Sequence, residues 1–205
     1  MDFGYDDKTE EMRARLLSFM DEFVYPAEPL LDEQEAAGPR WTTPSIVEEL
    51  HARLAESVPA ESGAGVVHGD YRLDNVVVDA DGRVAAVLDW EMATLGDPLA
   101  DLGLLLVYWD GLARIGGNAV ATAVNPAAGF PPGGALAARY AERRGADLTR
   151  LPWYTAFGFF KLAVIAEGIH YRFTQGKTVG AGFEQIGQIV PPLVAYGHAT
   201  LSEEA

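Results

Sequence analysis

Between residues 68 and 91 the sequence carries two short polar segments, HGDYRLDN and LDWE, each flanked by valines. They bring Asp70, Arg72, Asn75 and Asp89 into one neighbourhood of the chain. These residue types suit phosphoryl transfer. That reaction needs a group that takes or orients the proton of the attacking hydroxyl, oxygen ligands for Mg²⁺, and positive charge near the moving phosphate. Asp70 offers the carboxylate, in a turn after a short apolar run. Arg72 offers a cation within reach of a γ-phosphate. Asn75 offers an amide oxygen, and Asp89 a carboxylate that can face it across a metal ion. Asp70, Asn75 and Asp89 together exceed what turn formation requires. Asp81, in Asp81-Gly82, is by contrast a turn residue only.

The elements that must hold these groups can be read from periodicity. VVH before the loop and VVVDADGRVAAVLDW after it have β texture, with Asp81-Gly82 as the turn of a hairpin. A hairpin fixes both of its ends, and catalytic geometry tolerates little drift. The rest reads as helix. Residues 7–24 carry a stripe of Met12, Leu16, Phe19, Met20 and Phe23 at helical spacing. A short helix over 28–37 stops at Gly38-Pro39. Another starts at TTPSIVEELHARLAE, with Thr43 as cap, Pro44 in the first turn, and Ile46, Val47, Leu50 and Leu54 as its apolar face. Residues 57–65 form a junction. Helices are expected from GDPLADLGLLLVYW, with Pro98 near its start, from ALAARYAERRG, from WYTAFGFFKLAVIAEGIHYRF and over 181–200; a loop covers 115–134. An acceptor pocket would lie between the 96–110 and 150–174 helices, where Lys161 either snorkels or lines the cleft.

Composition narrows the class. The chain has 205 residues, 49% apolar and 22% charged, a globular balance. A net charge of -15 argues against a nucleic-acid partner, which calls for a basic face. With no cysteine, disulfides and thiolate metal sites are excluded. The apolar runs are too short for a membrane span and the first residues do not look like a signal peptide, so a cytoplasmic location is expected. QGKT at 175–178 is no phosphate loop, because Tyr171 stands where that motif requires glycine. His51, His170 and His198 lack metal-ligand spacing.

The loop also has a known register. The protein-kinase catalytic loop reads H-R-D-L-x-x-x-N and is followed, after a hairpin, by D-F-G; here it is H-G-D-Y-R-L-D-N and then D-W-E. HGDYRLDN, LDWE and LGDPLADL together resemble the aminoglycoside/choline phosphotransferase-like family, in its acyl-CoA-dehydrogenase-linked branch, and FGFFKLAVIAEGIHYRFTQG is similar to that branch's C-terminal helices. The resemblance covers residues 64–201. It implies an α+β, mostly helical fold: a protein-kinase-like C-terminal lobe with a small catalytic hairpin, over 64–205. It implies Asp70 as catalytic residue, Arg72 as phosphate contact, Asn75 and Asp89 as Mg²⁺ ligands, and Mg²⁺ and ATP as cofactors. It further implies that His68 braces the loop and that Asp97 and Asp101 support it or cap the next helix. Asp97 reads equally well as a plain cap. Glu91 stands where many kinases have glycine; it either approaches a second metal or faces solvent. The acceptor would be a small-molecule hydroxyl, with a hydroxyacyl compound favoured over an antibiotic.

A kinase small lobe needs a glycine-rich loop and a strand lysine. The only lysine before the loop is Lys8, in a polar stretch, and no upstream glycine pair has the required spacing. The kinase N-lobe is thus expected to be absent. Residues 1–56, with MDFGYDDKTEEMRARLLSFMDEFVYPAEP and RWTTPSIVEELHARL, instead resemble the N-terminal helices of an acyl-CoA dehydrogenase, without its flavin site, and 57–63 would be the join. Three expectations result: an active phosphotransferase, a non-catalytic remnant or binding module, or a lobe that assembles with a separate chain supplying the N-lobe, an acyl-CoA dehydrogenase being another candidate partner.

Overall fold

The computed structural model describes residues 7–26, 29, 41–60, 63–115, 124, 128–178 and 182–202. It falls into two compact units, Met1–Thr42 and Thr43–Ala205. In the first, α1 (Asp7–Phe19) continues into a π-helical stretch, Met20–Val24. Met12, Leu16, Phe19 and Phe23 of the expected stripe are exposed, and the rings of Phe19 and Phe23 meet at 5.3 Å. The helix expected over 28–37 lies outside the described residues, apart from residue 29.

The second unit contains all the elements around the candidate site. It opens with α2 (Ser45–Glu56). The expected cap does not form: Pro44 takes the cap position, and its carbonyl accepts the N–H groups of Val47 and Glu48. Proline suits this place because it has no N–H to leave unpaired and its φ is already fixed. Val47, Leu50 and Leu54 are buried, whereas Ile46 is exposed. This helix is tied to the C-terminal helices of its own unit. Trp153 Nε1 donates to the Leu54 carbonyl, Arg150 to the Ser57 carbonyl, and Arg53 to the Nδ1 of His198. α2 therefore packs within the unit Thr43–Ala205.

Four short strands come next: β1 (Gly65–Val67), β2 (Val76–Val78), β3 (Val84–Val87) and β4 (Thr94–Gly96). β2 and β3 form the expected antiparallel hairpin, with Val76 opposite Val87 and a register shift at Val77/Val78. Asp79 closes its turn, accepting the N–H groups of Asp81 and Arg83. β1 pairs antiparallel with β4, Val66 opposite Leu95. The sequence does not announce that partner strand; three residues ending at Gly-Asp-Pro carry too little pattern to register.

The remaining helices are α3 (Leu99–Leu106), α4 (Gly133–Arg144), α5 (Leu151–Thr174) and α6 (Val190–Ser202). α3 runs on through a π-helical stretch, Val107–Gly111, and α6 is preceded by a 3₁₀ turn, Ile186–Ile189. The core joins α2, α3, α5 and α6, with Leu50, Leu99, Leu112 and Leu193 fully buried. Each such leucine contributes about 1.5–3 kcal/mol by leaving water. α3 and α5 cross closely at Gly103, where a Cβ would lie 2.5 Å from the Tyr154 carbonyl carbon. This close crossing sets α3 against the loop after β1. No helix among the described residues is long and apolar enough to cross a membrane.

Candidate functional site

The loop 68–75 is held from three directions. Its first residue, His68, is 2% exposed. Its Nε2 contacts the Leu88 carbonyl at 2.8 Å, and a carbonyl only accepts, so Nε2 carries the proton. Nδ1 is then free to accept the Asp70 N–H, at 3.2 Å. The ring packs near Trp90 and Tyr71, with centroids at 4.6 and 5.9 Å. From below, Asp101 in the first turn of α3 takes two successive amides. Its Oδ2 accepts the His68 N–H at 2.7 Å and its Oδ1 the Gly69 N–H at 2.9 Å. From the side, the Lys161 ammonium on α5 donates to the Gly69 carbonyl. Gly69 itself has φ +86, and a Cβ there would sit 2.7 Å from the Met92 carbonyl oxygen. Only glycine combines that backbone conformation with so close a neighbour.

Asp70 comes directly after this clamp. Its Oδ1 accepts the hydroxyl of Tyr108 at 2.8 Å. Its Oδ2 lies 3.5 Å from Asn75 Nδ2 and 3.7 Å from Arg72 Nε. Asn75 is 8% exposed; its Nδ2 donates to the Asp70 carbonyl at 2.9 Å. That bond turns the amide so that Oδ1 points away from Asp70. Arg72 is drawn between carboxylates, 3.7 Å from both Asp70 and Asp74, with its guanidinium 5.3 Å from the Tyr108 ring centroid. The pairs are partly exposed, so each adds little to stability. Burial, and after it the Asp70 charge, pushes the Tyr108 phenol well above its ordinary range, so it remains a protonated donor.

Asp89 comes to Asn75 through the hairpin ladder. The Leu88 N–H donates to the Asn75 carbonyl at 2.8 Å, and Asp89 is the next residue. It is exposed and is the one non-glycine with positive φ (67°) among the described residues. Aspartate tolerates this conformation better than most residues, and such positions gather at functional sites. An amide oxygen and a carboxylate beside a substrate phosphate form a hard, all-oxygen donor set, which suits Mg²⁺. The types of donor therefore fit the ion. Among the described residues no group of three His, Asp or Glu side chains could hold a metal without such a substrate.

Of the remaining candidates, Asp97 serves the start of α3. Its Oδ1 accepts the Leu99 N–H at 2.9 Å and its Oδ2 the Tyr154 hydroxyl at 2.8 Å, so it caps α3 and ties it to α5. Glu91 is exposed in a 3₁₀ turn, Trp90–Met92. Tyr108 is missed by sequence reasoning. It sits in the apolar run LLLVYW, where an aromatic reads as core; the signal lies in its hydroxyl, which a buried tyrosine must partner. A cavity of about 520 Å³ lies between α3 and α5, bordered by Val67, Gly69, Leu104, Phe157, Lys161 and Val164.

The chain as a whole is similar to known proteins. The model of the phosphotransferase enzyme family matches residues 4–154. The chain belongs to this family. The match begins upstream of α1 and so takes in residues 4–56 as well. The chain is also 32% identical, over 155 residues, to acyl-CoA dehydrogenase family member 11 of Rattus norvegicus, a stretch that is 74% of this chain and 20% of that protein. Against acyl-CoA dehydrogenase family member 10 of Mus musculus the figures are 30% over 161 residues, 75% of this chain and 15% of that protein. The chain thus spans about a fifth, or less, of the length of these relatives. Among solved structures, a Ralstonia eutropha protein provisionally assigned as an aminoglycoside phosphotransferase is similar, with a TM-score of 0.64 and 29% identity, over 79% of this chain and 50% of that one. A mostly helical chain with two small antiparallel sheets is therefore similar to a phosphotransferase structure in fold as well as in sequence.

Proposed function

We propose that this chain is the kinase-like C-terminal lobe of a Mg²⁺- and ATP-dependent phosphotransferase that acts on a small-molecule hydroxyl. One observation carries the reading: the Asp70 carboxylate is held by Tyr108 on one oxygen, while Asn75 is pinned to the Asp70 backbone beside it. In the reaction, the acceptor oxygen bonds to the γ-phosphorus and the bond to the bridging oxygen breaks, its electron pair leaving with the nucleoside diphosphate. Asp70 Oδ2 receives the acceptor's proton. Asn75 Oδ1 and Asp89 would hold Mg²⁺, which when bound supplies charge neutralisation for the phosphates. Arg72 supplies positive charge next to the same carboxylate. His68 and Asp101 keep the loop in place and touch no reactant.

The acceptor is best read as a hydroxyacyl compound. The cavity between α3 and α5 is bordered mostly by apolar side chains, with the Lys161 ammonium and the Asp97 and Asp101 carboxylates among them, an environment for an apolar chain carrying a polar group. The names of the relatives support the same choice. A cytoplasmic setting, where ATP and Mg²⁺ are at hand, goes with this reading.

A second reading is favoured by the outer faces of the strands. The paired residues Val66 and Leu95 are 64% and 81% exposed, and Val77, Val78 and Val84 are exposed on the hairpin. Exposed apolar sheet faces suit contact with another protein surface. The chain would then be a lobe that works with a separate small lobe, or a binding module without turnover.

Transfer of labelled γ-phosphate from ATP to a panel of hydroxyacyl and other alcohol acceptors, with Mg²⁺, tests the first reading. Turnover that falls by about 10²-fold or more in Asp70→Asn supports it. Turnover only after a small-lobe chain is added supports assembly. Neither turnover nor nucleotide binding under any of these conditions favours the non-catalytic module.

A further inference from the structure

Tyr108 lies on the π-helical stretch Val107–Gly111 that continues α3. Such stretches add a residue to the helical register, redirect side chains, and are frequent at functional sites. The ring is 7% exposed. A buried tyrosine hydroxyl takes some partner; here it reaches a carboxylate on a different element, Asp70 Oδ1 at 2.8 Å. Arg72 lies over the ring at 5.3 Å, so one tyrosine meets two charged side chains of the loop.

We infer that Tyr108 is the positioning residue for Asp70: its hydroxyl holds Oδ1 and leaves Oδ2 to meet the acceptor hydroxyl. The inference rests on the phosphotransferase reading of Asp70 and deepens it. The two carboxylate oxygens are not equivalent. Oδ1 has one short, well-formed hydrogen bond. Oδ2 has the longer approaches of Asn75 Nδ2 at 3.5 Å and Arg72 Nε at 3.7 Å, and so retains acceptor capacity. A neutral donor fixes the carboxylate's rotation without cancelling its charge. Tyrosine also does this on a rigid ring with few torsions, whose position is set by core packing.

Tyr108→Phe removes the hydroxyl and keeps the ring, with its packing and the Arg72 contact. The variant is expected to lose roughly 10- to 100-fold in kcat, the scale on which misplacement of a reacting group acts, with KM for ATP within about twofold of wild type. A merely structural tyrosine would lower stability and leave kcat of the folded fraction unchanged. An unchanged kcat, or an equal loss that lies wholly in KM, overturns the inference. The second readout needs no turnover. Asn75 Nδ2 touches Asp70, so its side-chain amide NMR signal should shift in Tyr108→Phe, and the Tyr108 ring signals should shift in Asp70→Asn. If wild type transfers no phosphate, the reading of Asp70 as a working phosphotransferase residue fails, and these signals alone decide the coupling. Unshifted signals in both variants overturn it. If Tyr108→Phe does not fold, the Tyr108 ring signals in Asp70→Asn decide the matter by the same criterion.

Discussion

The carboxylate of Asp101 accepts the backbone N–H of His68 at 2.7 Å, and its other oxygen takes the adjacent Gly69 N–H at 2.9 Å. One side chain from the first turn of α3 thus satisfies two donors at the entry to the loop. Nothing else on α3 could replace it, because the next acidic residue along that run, Asp110, is engaged elsewhere, with the Gly133 N–H.

Asp101→Ala leaves both amides without that acceptor. A buried donor left unpaired costs about 1–3 kcal/mol, so with two amides affected the variant should lose roughly 2–6 kcal/mol in denaturant unfolding. Asp101→Asn keeps one acceptor oxygen and should lose less. Equal stability of all three proteins would remove Asp101 from its place as the anchor of the loop.

Gly69→Ala adds a Cβ 2.7 Å from the Met92 carbonyl oxygen at a residue with φ +86. The backbone conformation alone costs roughly 1–2 kcal/mol for a non-glycine residue, and the contact adds to it. The expected result is a melting temperature lowered by several degrees and Asp70 displaced from Tyr108, visible as a shift of the Tyr108 ring signals.

Leu50→Ala tests where the fold begins. Leu50 is fully buried in the shared core and lies against Gly197 of α6. Its truncation should cost about 3 kcal/mol, as for any core leucine. A residue on an independent helical appendage would cost the unit Thr43–Ala205 nothing.

Alkaline stability should depend on Tyr108. Its phenol is raised above the ordinary tyrosine value of 10.0, first by burial and then by the Asp70 charge. The unfolded chain therefore releases this proton at lower pH than the folded one. The stabilisation is complete below about pH 10 and is lost as pH rises beyond it. Unfolding free energies of wild type and Tyr108→Phe should thus converge above about pH 10, and Tyr108 should be among the last tyrosines to titrate in the ultraviolet spectrum.

What the sequence disclosed, it disclosed through spacing. HGDYRLDN and LDWE identify the loop because particular residue types recur at fixed offsets, and Asp81-Gly82 marks the turn because its backbone conformation favours those residues. Helices α3 to α6 show in their apolar periodicity. The parts that stayed hidden depend on contacts between distant segments. β4 is three residues long and is a strand only because β1 lies beside it. α2 carries an apolar face, but not the identity of the surface that covers it. Tyr108 looks like core until a π-helical stretch and the Asp70 loop meet. Asp97 and Asp101 were indistinguishable by type; their partners, Tyr154 for one and the loop amides for the other, separate them.

Under the proposed function, Asn75 and Asp89 would hold a magnesium–nucleotide beside Asp70. Calorimetric titration of ATP into the protein, with and without Mg²⁺, tests it most directly, in wild type and in Asp89→Asn. Heat of binding should appear only with Mg²⁺ in wild type and vanish in Asp89→Asn. Binding that ignores Mg²⁺ or survives the substitution, or no binding by wild type at any ATP concentration, would contradict the account.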